Sequence, residues 1–155
     1  MLNQYKTKKD EGFTIIEVMI VLAIAGLIML IVFLAVPALQ RSSRNTQRKT
    51  DANNALSALS DYISNNGGAL PTAACSGTGC PFEAGMAKLG YYQTAKVAFK
   101  TSTSSLGTPT SEDLWLVGNA QCTSQAAAPT AGTSPRQFVA YYGIEPGNTT
   151  QCVEG

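Results

Sequence analysis

Residues 12–36 read GFTIIEVMIVLAIAGLIMLIVFLAV, and this stretch decides the fold. From Val18 to Val36 the chain runs for nineteen residues without a charged side chain. An α-helix of that length spans roughly 28 Å, close to the hydrocarbon thickness of a bilayer, about 30 Å. The stretch therefore predicts a membrane-spanning helix. One carboxylate, Glu17, lies just inside its start, where a buried charge requires a partner or a function.

The residues around Glu17 resemble the prepilin signature of type IV pilins and type II secretion pseudopilins. In that signature a short charged leader ends in Gly, an aromatic residue follows, and a Glu lies five residues past the Gly. An apolar helix comes directly after it. Here the leader is Met1–Gly12, followed by Phe13 and Glu17. The resemblance implies that a prepilin peptidase cleaves between Gly12 and Phe13 and methylates the new amino group of Phe13.

The resemblance also implies that the trimmed chain polymerises through its apolar helix. Its partners would be identical or related pilin subunits and the inner-membrane assembly machinery, with lipid around the helix before assembly. In that scheme Glu17 neutralises the positive amine of Phe13 on a neighbouring subunit. Two desolvated charges pair favourably only with good geometry, so the pair would set register as well as energy. Because Phe13 and Glu17 are four residues apart, a pair within one helix is an open alternative.

Two other interpretations of the apolar stretch compete with this one. A secretory signal peptide would be cut after Ala25, at the A-x-A-like sequence Ala23-Ile24-Ala25. However, the apolar run continues eleven residues further, to Val36, which a cleaved signal does not need. An uncleaved signal anchor would carry an unrelated extracytoplasmic domain. Neither explains Gly12, Phe13 and Glu17 together.

Four segments are predicted along the chain. They are the leader 1–12, a hydrophobic transmembrane and polymerisation helix 13–39, an amphipathic continuation 40–66, and an extracytoplasmic disulfide-bonded head 67–155. Gly26 and Pro37 are expected to kink the helix, since Pro37 removes one backbone hydrogen bond. The polar, basic stretch 40–51 predicts a solvated helix face, or one that meets anionic headgroups. Apolar residues then recur at helical spacing and predict a face that packs on a sheet: Ala52, Ala55, Leu56, Leu59, Tyr62 and Ile63.

The fold class is predicted to be α+β, a long N-terminal helical spine with a small antiparallel β-sheet head. Three segments indicate strands: 96–101, 113–118 and 137–143. Residues 83–89 predict one short helix. Trp115, Tyr141 and Tyr142 could form a binding platform, but such residues in strands more often provide core and cross-strand packing.

The cysteines lie at positions 75, 80, 122 and 152, all beyond the predicted span. An even number outside the membrane indicates two disulfides in an oxidising compartment, and four cysteines allow three pairings. No metal site is expected, because a four-cysteine zinc site needs two close pairs. Four flexible residues separate Cys75 from Cys80, which lets their sulfurs meet. Many pilins staple the C-terminal region with a disulfide, and this resemblance supports pairing Cys122 with Cys152.

Composition limits the remaining functions. The formal net charge is +1, and the chain without its leader has eight basic and eight acidic residues. Lys88, Lys96, Lys100 and Arg136 are scattered, so DNA remains a possible partner without support from the sequence. The chain contains no histidine, which excludes histidine-based catalysis. No catalytic residue or cofactor is expected.

The sequence therefore favours a structural subunit of a type IV pilus-like filament, serving adhesion, motility or DNA uptake. Such a subunit would begin as a single-pass inner-membrane protein with its head outside the cytoplasm, and would end in a cell-surface filament. A type II secretion pseudopilin is the alternative within the same group. A membrane-anchored binding domain that never polymerises is the alternative of another class.

Overall fold

A computed structural model describes residues 12–147 and 149–155. The leader residues before Gly12, and Asn148, lie outside the described residues. One α-helix precedes a set of short strands and three short 3₁₀ helices. The elements are α1 Ile15–Asn65, β1 Cys75–Ser76, β2 Val97–Lys100, β3 Leu114–Gly118, β4 Ala120–Gln121, β5 Thr130–Ala131, β6 Phe138–Ile144 and β7 Thr149–Glu154, with 3₁₀ helices at Gly77–Gly79, Glu83–Lys88 and Thr94–Lys96. The α+β class and the pilin-like order of helix then sheet are confirmed.

The chain divides into two compact units between Leu39 and Gln40. In the described part of the first unit, every residue from Gly12 to Leu39 is exposed. The large apolar side chains there include Phe13, Leu30 and Phe33. By length and composition α1 can cross a membrane, a test that signal sequences also pass. The helix runs from Ile15 to Asn65 through both Gly26 and Pro37, so neither residue ends it.

The second unit is built on the C-terminal part of α1. The predicted apolar face is confirmed: Ala52, Ala55 and Leu59 are fully buried, and Tyr62 and Ile63 pack at the margin. Gly67 and Gly68 then end the helix with positive φ angles of 66° and 83°. The N–H of Gly68 donates to the carbonyl of Ile63 at 2.8 Å, which satisfies a carbonyl that the helix leaves free.

The head sheet has five strands in the order β1-β2-β3-β6-β7. The three predicted strands are confirmed within two residues at each end, and β7 is an addition that pairs antiparallel with β6. The sheet is mostly antiparallel, as predicted, but β2 and β3 run parallel. Parallel neighbours need a long crossover, and residues 101–113 supply it.

Side chains of β6 alternate between the two faces of this sheet. Phe138, Ala140 and Tyr142 join the core against α1, whereas Val139 and Tyr141 join a second cluster on the opposite face. That outer cluster includes the half-buried Trp115, whose ring lies 6.2 Å from that of Tyr141. The three aromatic residues therefore pack inside the head, and they do not form an open binding platform.

Candidate functional site

The residues of the predicted cleavage and assembly site lie at the start of α1. Gly12, Phe13 and Thr14 precede the helix, which begins at Ile15. The carbonyl of Thr14 accepts the first helical hydrogen bonds, from the N–H groups of Glu17 at 3.1 Å and Val18 at 3.4 Å. Thr14 is therefore the N-cap residue of the helix, and Glu17 is its third helical residue.

Thr14 and Glu17 cap each other. The Oε2 atom of Glu17 accepts hydrogen bonds from the backbone N–H of Thr14 at 3.0 Å and from its hydroxyl at 2.8 Å. In return the N–H of Glu17 donates to the Thr14 hydroxyl oxygen at 3.4 Å. This reciprocal arrangement is a capping box, which satisfies N–H groups that a helix start leaves without partners.

Phe13 lies directly outside the cap. Its side chain lines a shallow apolar recess together with Glu17, Val18, Val21 and Leu22. A hydrophobic residue before the N-cap that packs toward the fourth helical residue, here Val18, is the usual companion of a capping box. The capping box therefore fixes the start of the helix, and Phe13 lies exposed just before it.

Sequence reasoning missed this cap, although the signal was present. Thr14-Ile15-Ile16-Glu17 before an apolar run is the capping-box pattern. The predicted helix start at Phe13 was wrong by two residues for the same reason.

A family model described as the prokaryotic N-terminal methylation motif matches residues 7–33. The match covers Gly12, Phe13, the capping box and most of the apolar stretch. The chain is prepilin-like. No curated protein and no solved structure matches the chain. The motif implies processing by a prepilin peptidase and polymerisation with pilin subunits in general, while the head of this prepilin-like protein is described by its own geometry alone.

The prepilin-like chain has a second polar cluster, in the head, that sequence reasoning did not find. Arg48 is fully buried, although the stretch 40–51 was predicted to be a solvated or lipid-facing surface. That prediction was wrong for Arg48 and Asp51, whose side chains face inward. Arg48 donates to Asn45 Oδ1 at 2.7 Å, to the Tyr91 hydroxyl at 2.5 Å and to Glu145 Oε1 at 2.7 Å.

Glu145 lies just after β6, in the turn toward β7, and it links this turn to α1. Its Oε2 accepts from Arg44 at 2.6 Å while its Oε1 accepts from Arg48. Asn45 adds two bonds to the Glu145 backbone, one from its Nδ2 to the carbonyl at 2.6 Å and one from the N–H to its Oδ1 at 3.0 Å. Hydrogen bonds from Arg44 and then Arg48 lower the pKa of the Glu145 carboxyl to about 2.

Asp51 fastens a different loop to the same helix. Its buried carboxylate accepts from the backbone N–H groups of Gly90, Tyr91 and Tyr92 at 2.6 to 3.0 Å. Gln47 adds a side-chain bond at 3.2 Å. One helix segment, residues 44–51, thus holds both the loop before β2 and the turn before β7. The loop and turn residues that these helix side chains bind are 39 to 101 residues away in sequence, so no local sequence pattern predicts the contacts.

The four cysteines form two disulfides in the head. Cys75 is bonded to Cys80, and Cys122 to Cys152, with Cα–Cα distances of 5.2 and 5.8 Å. This is the pairing that the sequence analysis favoured among three possibilities. The long bridge joins the loop after β4 to β7, where Cys152 packs in the outer cluster. The N–H of Cys152 also donates to the carbonyl of Gln125 at 2.8 Å, so this loop lies along the outer edge of β7.

Proposed function

We propose that this prepilin-like chain is a structural subunit of a type IV pilus-like filament. It is trimmed after Gly12, methylated on Phe13 and polymerised through the apolar half of α1. Its chemistry is that of assembly, and no reaction is assigned to its own side chains. The observation that carries the proposal is the methylation motif at residues 7–33 placed on a helix whose residues from Gly12 to Leu39 are all exposed.

The exposed apolar surface supports the proposal on energetic grounds. Apolar surface in contact with water costs about 25 cal/mol per Å² relative to burial. A helix with large apolar side chains on every side cannot remain in water, so lipid or other helices must cover it. A filament core provides that cover once the subunit leaves the membrane.

The head supports an extracytoplasmic location. Two disulfides persist in an oxidising compartment, which supports a head outside the cytoplasm and a leader inside it. The basic residues after the span, which by number alone favour the opposite orientation, are partly neutralised in the folded chain. Arg44 and Arg48 share Glu145, and Arg48 is buried. We therefore assign the inner membrane to the untrimmed chain and the cell surface to the filament.

A type II secretion pseudopilin is the second candidate within the same group. Both candidates use the same motif and the same trimming, so the motif supports them equally. The disulfide from Cys122 to Cys152 in β7, which encloses β6, favours a pilin head. A non-polymerising anchored domain would retain the span without using the carboxylate of Glu17 for assembly. Roles in adhesion, motility or DNA uptake follow from the filament and not from any surface described above.

The test combines intact mass with filament microscopy in the cell that makes the protein. We expect the membrane and filament fractions to contain a chain that starts at methylated Phe13. Gly12→Val should block trimming, because a β-branched side chain crowds the backbone that the peptidase must approach. Glu17→Ala should insert into the membrane and be trimmed, yet form few filaments, because a neighbour's amine loses its partner.

Ser57→Ala is the matched control, since Ser57 lies exposed on the part of α1 that belongs to the second unit. It should be trimmed and assembled like the unchanged chain. A chain that starts at Met1, or one that starts after Ala25, would contradict the trimming. Undiminished filaments from Glu17→Ala would contradict the role of the carboxylate, and their absence from the unchanged chain would favour the anchored domain.

A further inference from the structure

Two exposed arginines follow the apolar half of α1, and the proposed assembly gives them no role. No residue between Glu17 and Arg41 is charged, and Arg44 lies about one helical turn beyond Arg41. We propose that Arg41 and Arg44 together bind the phosphate group of an anionic phospholipid, in the leaflet where α1 leaves the membrane. This lipid site requires only that α1 spans a membrane, so it is independent of whether the chain polymerises.

Both arginines lie close to the end of the apolar run along α1. The helix continues from Ile15 to Asn65, and Arg41 and Arg44 follow Leu39 by two and five residues. At 1.5 Å per residue these steps correspond to roughly 3 and 8 Å of helix. The polar headgroup layer adds roughly 5 to 7 Å on each side of the hydrocarbon core. Helical side chains also lean toward the N-terminus of their helix, here toward the span, so both guanidinium groups reach this layer.

The two arginines have hydrogen-bond donors to spare. Arg41 is exposed, and its side chain forms no hydrogen bond or ion pair with residues 12–147 and 149–155. Arg44 is also exposed, and its Nη2 donates to Glu145 Oε2 at 2.6 Å. A guanidinium group has five N–H donors in a fixed planar arrangement. Glu145 therefore holds Arg44 in place and leaves it donors for a second anion, while all the side-chain donors of Arg41 remain available.

The charge around the two arginines also favours an anion. The carboxylate of Glu145 is shared between Arg44 and Arg48, so it balances only one of these two positive charges. Arg41 adds a further positive charge. Residues three apart on a helix are neighbours, so Arg41 and Arg44 repel each other unless an anion lies between them. The phosphate of a phospholipid is negatively charged and accepts paired bonds from a guanidinium group, so it reduces this repulsion and uses the free donors.

A phospholipid is favoured as the occupant because of where the arginines lie. Basic residues beside a membrane span attract anionic lipids, and this attraction falls off within a Debye length of the surface. Lys49 is also exposed on α1, but it follows Leu39 by ten residues, roughly 15 Å of helix. That distance exceeds the headgroup layer, so Lys49 is not part of the lipid site. Arginines at a membrane interface help to set the position of a span, and this pair would fix the depth of α1 in the bilayer.

Solid-state NMR of the full chain in vesicles tests the contact. The vesicles contain equal parts of phosphatidylglycerol and phosphatidylcholine, and the chain carries ¹³C at the guanidinium carbons of its four arginines. We expect the lipid ³¹P to reduce the signals of Arg41 and Arg44 and to leave those of Arg48 and Arg136 unchanged. Arg41→Gln should remove one affected signal and weaken the ³¹P effect on Arg44. The control Lys49→Gln, which removes an exposed cation from the same helix, should change neither.

Two results of this experiment would contradict the lipid site. The first is the absence of a ³¹P effect on both Arg41 and Arg44 in the unchanged chain. The second is an effect on Arg44 that is as strong in Arg41→Gln as in the unchanged chain, because the two arginines would then not share a phosphate. Arg41 makes no side-chain contact with the described residues, so its replacement should leave the fold intact.

Electron spin resonance with spin-labelled lipids measures the preference for phosphatidylglycerol over phosphatidylcholine. Arg41→Gln should lower this preference about fivefold, the effect of one basic residue near the membrane surface. Lys49→Gln should lower it by less than about twofold, because the charge it removes lies beyond the headgroups. Arg41→Lys keeps the charge but not the planar group of donors, so its preference should fall between those of Arg41→Gln and the unchanged chain. Equal losses from Arg41→Gln and Lys49→Gln would indicate a diffuse charge effect and would overturn the proposal.

Two further conditions distinguish a lipid from the other sources of an anion. Adding inorganic phosphate should leave the ³¹P contact with the lipid unchanged, whereas loss of that contact would show a general anion site. Diluting the chain to about one copy per vesicle should also preserve the contact, because the occupant is a lipid. A contact that is lost on dilution would show that it depends on a second copy of the chain, and would refute the lipid site without affecting the proposed assembly.

Discussion

At the scale of single residues, the head depends on charged side chains that can be buried because distant parts of the chain supply their partners. Arg48 is buried because three oxygen atoms surround its guanidinium and the Tyr91 ring lies 4.4 Å from it. An unpaired buried charge would be strongly destabilising, so each partner matters more than an exposed ion pair would. Glu145 is the partner that carries the compensating charge.

Glu145 should make the stability of the head depend on pH in acid. Its pKa in the folded chain is about 2, below its ordinary value of 4.5, because Arg44 and Arg48 donate to its oxygens. A lowered pKa means that the folded state holds the proton less readily than the unfolded state. Its contribution is therefore fully present above about 4.5 and is lost as the pH falls toward 2.

Thermal unfolding of the unchanged chain and of Glu145→Gln between pH 7 and pH 2 measures this contribution. The variant should be less stable at pH 7, and the difference between the two proteins should shrink as the pH falls from 4.5 to 2. Glu112→Gln, at an exposed carboxylate, serves as the control. A constant difference across this range would contradict the assignment.

At the scale of elements, segment 44–51 of α1 organises two loops that do not contact it through apolar packing alone. Asp51 supplies acceptors to three consecutive N–H groups, Gly90 to Tyr92, and the N–H of the buried Tyr92 would otherwise lack a partner. Close backbone approach completes the attachment further along this helix, since a Cβ on Gly85 would lie 2.5 Å from the Cβ of Ala58. The loop before β2 is therefore held by polar contacts at one end and by tight packing in its middle.

Asp51→Ala should destabilise the head by about 3 kcal/mol or more, because three N–H groups, one of them at the buried Tyr92, lose their acceptor together. Asp61→Ala removes an exposed carboxylate from the same helix and should change stability by less than about 0.5 kcal/mol. Chemical denaturation followed by Trp115 fluorescence reports both values, since this is the one tryptophan of the chain. Equal effects from the two variants would refute the role of Asp51.

The two disulfides should differ in their contribution to stability. The Cys122–Cys152 bridge closes 30 residues and the Cys75–Cys80 bridge closes 5. Loop-closure entropy gives about 3–4 kcal/mol for the long bridge and about 2 kcal/mol for the short one. Replacing both cysteines of each pair with serine should therefore lower the melting temperature more for the long bridge. Non-reducing peptide mapping checks the pairing, and crossed pairs or free thiols would contradict it.

At the scale of the whole molecule, the chain combines two units. The apolar surface of the first must be covered by lipid or other helices, whereas the second has its own hydrophobic core. Residues Gly12–Leu39 are all exposed, whereas the buried side chains of α1 lie between Arg48 and Leu59. The second unit, Gln40–Gly155, contains the sheet, both disulfides and the polar cluster. The function proposed above uses the first unit for anchoring and assembly and the second as the exposed head.

A chain of residues 40–155, made in an oxidising compartment, should therefore fold and remain soluble without the span. Its Trp115 fluorescence and cooperative unfolding should match those of the head in the full chain. The same truncation should be absent from filaments, because it lacks Phe13, Glu17 and the apolar helix. Aggregation of this fragment, despite both disulfides being formed, would show that the head depends on the span.

The sequence by itself determined the parts of this protein that depend on local pattern. These parts are the uncharged run after Glu17, the helical spacing of Ala52, Ala55 and Leu59, and the dense apolar runs of β3 and β6. Tertiary packing did not override the local preference that each of them indicates. The capping box at Thr14 and Glu17 was equally readable. The strand β7 could not be predicted in this way, because its sequence TTQCVE has little apolar alternation. It forms a strand by pairing with β6, and the long disulfide holds it there.

Only the tertiary structure decided which charges are buried and how the strands are ordered. Arg48 and Asp51 look like members of a solvated helix face until Glu145 and the loop at Gly90 are brought to them from far along the chain. A charge is buried only where partners repay its desolvation, and that condition is a property of the folded neighbourhood and not of the residue. The parallel pairing of β2 with β3 depends in the same way on the path of residues 101–113, since strand propensity gives no direction to a pairing.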